Sequence, residues 1–168
     1  MGFVESMSYG KIAESYIARY FLKLGYGVLP IYEKQINEGK GPQLFMGHDS
    51  IIGTDMLVFN NDKVFWVEAK HKTAFSYHRI TSRWVTGIDL RHYEHYIKIQ
   101  ERTNWPVWIL FYHEGGQAKD SPAESPKGLF GNDLKVLIKT ENHRHGNWGD
   151  GGMVYWAKDK LILIEPVP

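Results

Sequence analysis

The chain has 168 residues, 43% hydrophobic and 14% aromatic, a composition that fits one globular domain (1–168) with its own core. The 20 Lys and Arg against 19 Asp and Glu leave a net charge of +1, which excludes an acidic tail or a wholesale polycation. The absence of cysteine excludes disulfides, Cys-ligated zinc and thiol nucleophiles, so carboxylates, 8 histidines and hydroxyls remain as the available chemistry.

The predicted elements begin with a helix from about Ser8 to Leu24. Ile12, Tyr16, Ile17, Tyr20, Phe21 and Leu24 recur at helical spacing, and Gly25 stands where a left-handed C-cap belongs. Val28 to Tyr32 reads as a first short strand. Glu33 to Gly53, polar and dotted with glycine, reads as a surface loop. Asp55 to Phe59 and Val64 to Ala69 are rich in Val, Phe, Trp and Leu. Asn60-Asn61-Asp62-Lys63 between them carries turn chemistry, which makes a β-hairpin.

A second helix is predicted from an Asp89 N-cap to Arg102, with Leu90, Tyr93, Ile97 and Gln100 along one face. Trp105 to Tyr112 follows as a strand buried on both faces. Glu114 to Gly128 reads as a loop that orders when something binds. Leu134 to Ile138 is an apolar segment ahead of a Gly-rich and His-rich loop, and a closing hairpin of Met153 to Ala157 and Leu161 to Ile164 ends the chain. This order gives an α/β or α+β fold, a central mixed sheet flanked by helices.

Pairing the hairpin is the informative step. Phe59 faces Val64 across the turn, so Asp55 faces Glu68 four residues further back. Directly opposed residues have Cβ atoms about 4.5–5.5 Å apart on one face, and like charges there repel. Lys70 shares that face by the period of two. Two carboxylates and an amine among apolar neighbours are costly unless offset. A divalent cation with oxygen ligands offsets them, and Mg²⁺ or Mn²⁺ suits two carboxylates, a backbone carbonyl and water. The alternative is a solvated strand edge with an ordinary surface pair of Glu68 and Lys70, which Phe65, Trp66 and Val67 make hard to draw.

At Gly53-Thr54-Asp55 and Val67-Glu68-Ala69-Lys70 the sequence resembles the PD-(D/E)XK nuclease superfamily, with its restriction-endonuclease-like core. Thr54 replaces the proline of the family name and leaves the carboxylate in place. The resemblance covers about residues 8–112, with a β-rich extension at about 129–168. Within the superfamily the chain looks most like Holliday junction resolvases and related phage or prophage nucleases, which place a glutamate on the first core helix; Glu14 fits that position.

The resemblance implies that Asp55, Glu68 and the Ala69 carbonyl bind Mg²⁺, with Mn²⁺ as a substitute and Glu14 joining directly or through water. Lys70 then orients or activates the attacking water and stabilises charge on the phosphate. The implied activity is hydrolysis of DNA phosphodiester bonds with structure selectivity, by a homodimer in which the aromatic C-terminal hairpin of Tyr155 and Trp156 is the expected contact.

Between Lys63 and Arg102, 8 Lys or Arg face 4 acids, a local charge of +4 beside the proposed metal. Lys72, His78, Arg79, Arg83 and Arg91 are the candidate backbone contacts, and Tyr93, with Tyr77 and Trp84, the candidates to pack on sugars or bases. His143 and His145, two apart, lack the companions of a zinc site and read as a polar loop. No Gly-Lys-Ser/Thr follows a strand, so no organic cofactor is expected. No window holds the roughly 18 apolar residues of a membrane helix, and Met1 to Lys11 lacks a signal core, so a cytoplasmic location is expected. Two other readings stay open: a nuclease-like module that only binds nucleic acid or a protein, and a nuclease acting on linear duplex, flap or RNA ends.

Overall fold

The first helix begins ahead of both its apolar stripe and the predicted start at Ser8. In the computed structural model, which describes residues 3–31, 42–147 and 151–168, α1 spans Phe3–Lys23 and buries Ala13, Ile17 and Phe21, one residue per turn. The buried stripe is narrower than predicted, since Ile12 is 49% and Leu24 56% exposed. Gly25 closes the helix at φ 84°, with Gly25 N–H donating to Leu22 O and Tyr26 N–H to Phe21 O, the paired bonds of a Schellman cap.

The strands that follow are β1 (Gly27–Pro30), β2 (Gln43–Met46), β3 (Asp49–Ile52), β4 (Met56–Phe59), β5 (Val64–Lys72), β6 (Ser76–His78) and β7 (Arg83–Asp89). Helix α2 (Leu90–Thr103) leads to β8 (Val107–His113) and β9 (Gly128–Asp133). Then come α3 (Leu134–Lys139), β10 (Glu141–His145), β11 (Met153–Ala157), a single 3-10 turn at Lys158–Lys160, and β12 (Ile162–Glu165).

Several segments differ from the sequence reading. Within the stretch read as a surface loop, residues 33–41 lie outside the described residues, but β2 and β3 form a small hairpin because Ile51 has a core to enter. β6, β7 and β9 were not anticipated. Leu134 to Ile138 is helical, capped by the Asp133 side chain accepting from Lys135 N–H at 2.8 Å. Part of the polar His-rich loop is strand β10; residues 148–150 lie outside the described residues. The segment 114–127 is tied down by Gly116 N–H to Thr73 O at 2.8 Å and Phe75 N–H to Ser125 Oγ at 2.8 Å.

The fold is α/β, with a central mixed sheet in the order β1-β4-β5-β8-β9-β12. Only β5 and β8 run parallel; every other neighbouring pair is antiparallel. Alternation along β5 divides the core. Val67 and Ala69 face α1, packing with Ile17, Phe21 and Leu110. Trp66 faces the other way, toward Tyr93, Tyr96 and Ile99 of α2 and toward Ile88, Val154 and Trp156 of a second sheet, ordered β10-β11-β7-β6.

The expected C-terminal hairpin does not form. β11 pairs with β7 and β10, whereas β12 pairs with β9, because the 3-10 turn carries the chain from one sheet to the other. Trp156 is fully buried and cannot serve as a docking surface.

Candidate active site

The turn closes as its chemistry demands. Asn60 Oδ1 accepts from the N–H groups of Asp62 and Lys63 at 2.9 and 2.8 Å, and Phe59 pairs with Val64. The register runs without a bulge back to Met56 opposite Val67, so Asp55, one residue before β4, falls opposite Glu68. Its carbonyl accepts from Ile31 N–H at 2.8 Å, while its Oδ2 accepts from Ala69 N–H at 2.8 Å. The N–H and C=O of one strand residue point to the same side, so the Ala69 carbonyl also opens toward Asp55. Thr54, in the place of the proline, is fully buried and donates to Met56 O at 3.4 Å.

Glu68 is 4% exposed, which rules out the solvated-edge arrangement. Its Oε1 lies 2.5 Å from Lys70 Nζ, and the Tyr96 hydroxyl of α2 donates to the same carboxylate. Glu14 reaches the group from α1, across the sheet edge. Glu14, Asp55, Glu68, Ala69, Lys70 and Lys72 all line one cavity of about 430 Å³ at the C-terminal end of β5.

Electrostatics in the cavity follow from crowding. Burial, then the charge of Glu68, pushes the Asp55 carboxyl well above its usual value. The same two causes in the same order raise Glu14. Burial works against the Lys70 ammonium, but the charges of Glu68 and Asp55 outweigh it and hold its pKa above the usual value. Lys70 is therefore a cation at neutral pH in the metal-free protein. Burial and the neighbouring Lys70 bring Lys72 down to about 8.

The candidate nucleic-acid contacts do not all gather here. Lys72 lines the cavity. Arg79 is ion-paired with Asp120 at 2.5 Å, Arg83 with Asp159 at 3.6 Å, and His78 is stacked on His143 with ring centres 3.8 Å apart. Arg91 is exposed in the first turn of α2. Tyr93 is a correction: it is 1% exposed, its ring meets Trp156 edge-on, and its hydroxyl donates to Glu141 Oε1 at 2.8 Å. It belongs to the core and has no face for a sugar or base. Tyr77 likewise spends its ring on Trp84.

Sequence reasoning missed Tyr96, because the predicted stripe of α2 ran through Leu90, Tyr93, Ile97 and Gln100, whereas the buried residues are Tyr93, Tyr96 and Ile99. A tyrosine three residues from another was the available signal. Burial, then the Lys70 charge, lowers the pKa of His92, one of the histidines of the basic stretch.

Among the described residues no three His, Asp or Glu side chains cluster tightly enough to enclose an ion by themselves. The donor chemistry nevertheless fits a hard cation: two opposed carboxylates, Glu68 buried and Asp55 half-buried, with the Ala69 carbonyl on the side of Asp55. Magnesium keeps several waters and needs few protein ligands.

No protein-family model and no curated protein sequence matches the chain. Its architecture, a mixed sheet flanked by helices, is nonetheless one that a solved structure shares. A Holliday junction resolvase from the archaeal hyperthermophile Archaeoglobus fulgidus is similar to it with a TM-score of 0.51, over 90% of this chain and 90% of that one, at 7% identity. At that identity the two share a fold and little recognisable sequence.

Proposed function

We propose that the chain is a metal-dependent nuclease of the PD-(D/E)XK type that hydrolyses phosphodiester bonds in DNA, with selectivity for branched structure, acting as a homodimer. The observation that carries this reading is the register that sets Asp55 opposite Glu68 with the Ala69 carbonyl beside them and Lys70 on the same face. Similarity in fold to a Holliday junction resolvase supports the choice of branched DNA.

Asp55, Glu68 and the Ala69 carbonyl would hold Mg²⁺ or Mn²⁺, with Glu14 completing the set directly or through water. When bound, such an ion lowers the pKa of a coordinated water and neutralises charge on the scissile phosphate. The chain's own residues do the rest. Lys70, protonated and fixed against Glu68, directs a positive charge at the phosphate oxygens, where negative charge grows as water adds and the leaving oxygen departs. Tyr96 holds Glu68 in place through its hydroxyl.

The test is cleavage of a four-way junction, a flap, a linear duplex and a single strand in Mg²⁺, by the wild type and by Asp55→Ala. Cutting of the junction by the wild type alone is the expected result; failure to cut any of the four ends the reading. A second reading, a module that binds nucleic acid without cutting it, draws on the Lys70 to Glu68 pair, which engages one of the two carboxylates. Calorimetric titration with Mn²⁺ separates the two, since a binding-only module takes up no ion.

A further inference from the structure

Strand β5 carries one lysine more than the motif uses. Lys72 lies two residues past Lys70, so alternation puts both ammonium groups on the face of Glu68, and both line the same cavity. Their surroundings differ. Lys70 Nζ is held by Glu68 at 2.5 Å. Lys72 forms no ion pair among the described residues; the charges it feels are Lys70, which repels it, and Asp89 at the end of β7, which attracts it. Its register partner on β8 is His113, fully buried, kept neutral and stacked on Phe75, so nothing on that side balances the amine. A partly desolvated cation beside a second cation is costly until an anion enters.

We propose that Lys72 forms a second phosphate subsite, holding the backbone phosphate of a nucleic-acid strand next to the phosphate at the carboxylates. The ligand is a phosphodiester, and the inference rests on the nuclease reading of the same cavity. Two residues along a strand span about 6.6 Å, comparable to the step between successive phosphates of one nucleic-acid strand, so Lys70 and Lys72 serve neighbours in the same backbone. The contact is blind to sequence: it fixes the register of the strand, as phosphate contacts do, and leaves the selection of structure to other surfaces.

The experiment is fluorescence anisotropy of a labelled four-way junction and a duplex, with Ca²⁺ in place of Mg²⁺, over a range of salt. Wild type, Lys72→Gln and Lys72→Arg are compared. Loss of one phosphate contact is expected to reduce the slope of log affinity against log salt by about 0.9 in Lys72→Gln, with Lys72→Arg keeping the wild-type slope. A single neutral methylphosphonate moved along the strand is expected to weaken the wild type at one position where Lys72→Gln loses nothing further. Unchanged slope in Lys72→Gln, an equal loss in Lys72→Arg, or additive losses at every methylphosphonate position would each overturn the subsite while leaving the nuclease reading intact. If Lys72→Gln fails to fold, the scan on wild type and Lys72→Arg decides: two adjacent sensitive positions common to both support the subsite, and one sensitive position or none overturns it. Wild type that binds neither DNA overturns both.

Discussion

Acidification tests the core through His113. The ring is fully buried, lies on Phe75 with centres 3.6 Å apart and planes at 2°, and neither nitrogen has a hydrogen-bond partner among the described residues. Burial, with the charges of Lys72 and His71, lowers its pKa to about 3, against about 6.5 in an unfolded chain. Between those values the unfolded chain takes up a proton that the folded chain refuses. Stability is therefore full above about pH 6.5 and falls as the pH drops toward about 3. Each pH unit in that window removes about 1.4 kcal/mol, which amounts to about 2 kcal/mol at pH 5 once the rounding near pH 6.5 is included. For a chain of this size that is a fall of about 4–8 °C in Tm. The assay is urea unfolding at pH 8 and pH 5 of wild type and His113→Phe, which keeps the stack and takes no proton. His92, His95 and His143, also lowered by burial, are common to both proteins and drop out of the difference. Wild type should lose about 2 kcal/mol more than the variant; equal losses would refute the buried neutral imidazole.

Three further predictions concern the site and its neighbours. Asp55→Asn removes a carboxyl that burial and Glu68 hold above its usual pKa, so in EDTA at pH 7 its Tm should exceed that of wild type, while Mn²⁺ raises the Tm of wild type alone. The sign is the reverse of that for His113: because the raised carboxyl favours its protonated form, the metal-free wild type recovers this part of its stability as the pH falls, and Asp55→Asn does not. Tyr96→Phe deprives buried Glu68 of a donor and should cost about 1–3 kcal/mol in urea unfolding and weaken Mn²⁺ uptake in calorimetry. Tyr93→Phe should cost about 1 kcal/mol through the lost bond to Glu141 and leave duplex affinity unchanged in anisotropy, because its ring is packed in the core.

The two acids could be placed opposite one another from the sequence because everything that sets their register lies between Asp55 and Glu68. A turn of Asn60 to Lys63 and two short apolar strands leave one alternation that buries the apolar sides, and slipping by one residue would turn Val67 out and Glu68 over. The end of α1 was legible for the same reason, since Gly25 reports a local backbone requirement.

Partner choice over long separations was not legible. Met153 to Ala157 and Leu161 to Ile164 have the alternation and spacing of a hairpin, and only the competing edges of β7 and β9 send them to different sheets. Arg79 looks like a free cation until the segment 114–127 brings Asp120 to it, and Tyr93 looks like a surface ring until the second sheet closes over α2. Composition and local periodicity thus determined which acids and amines share one face of the hairpin. Tertiary structure alone decided which cations keep their charge unmatched and which rings are left a face, because burial and ion pairing depend on surfaces contributed by distant parts of the chain.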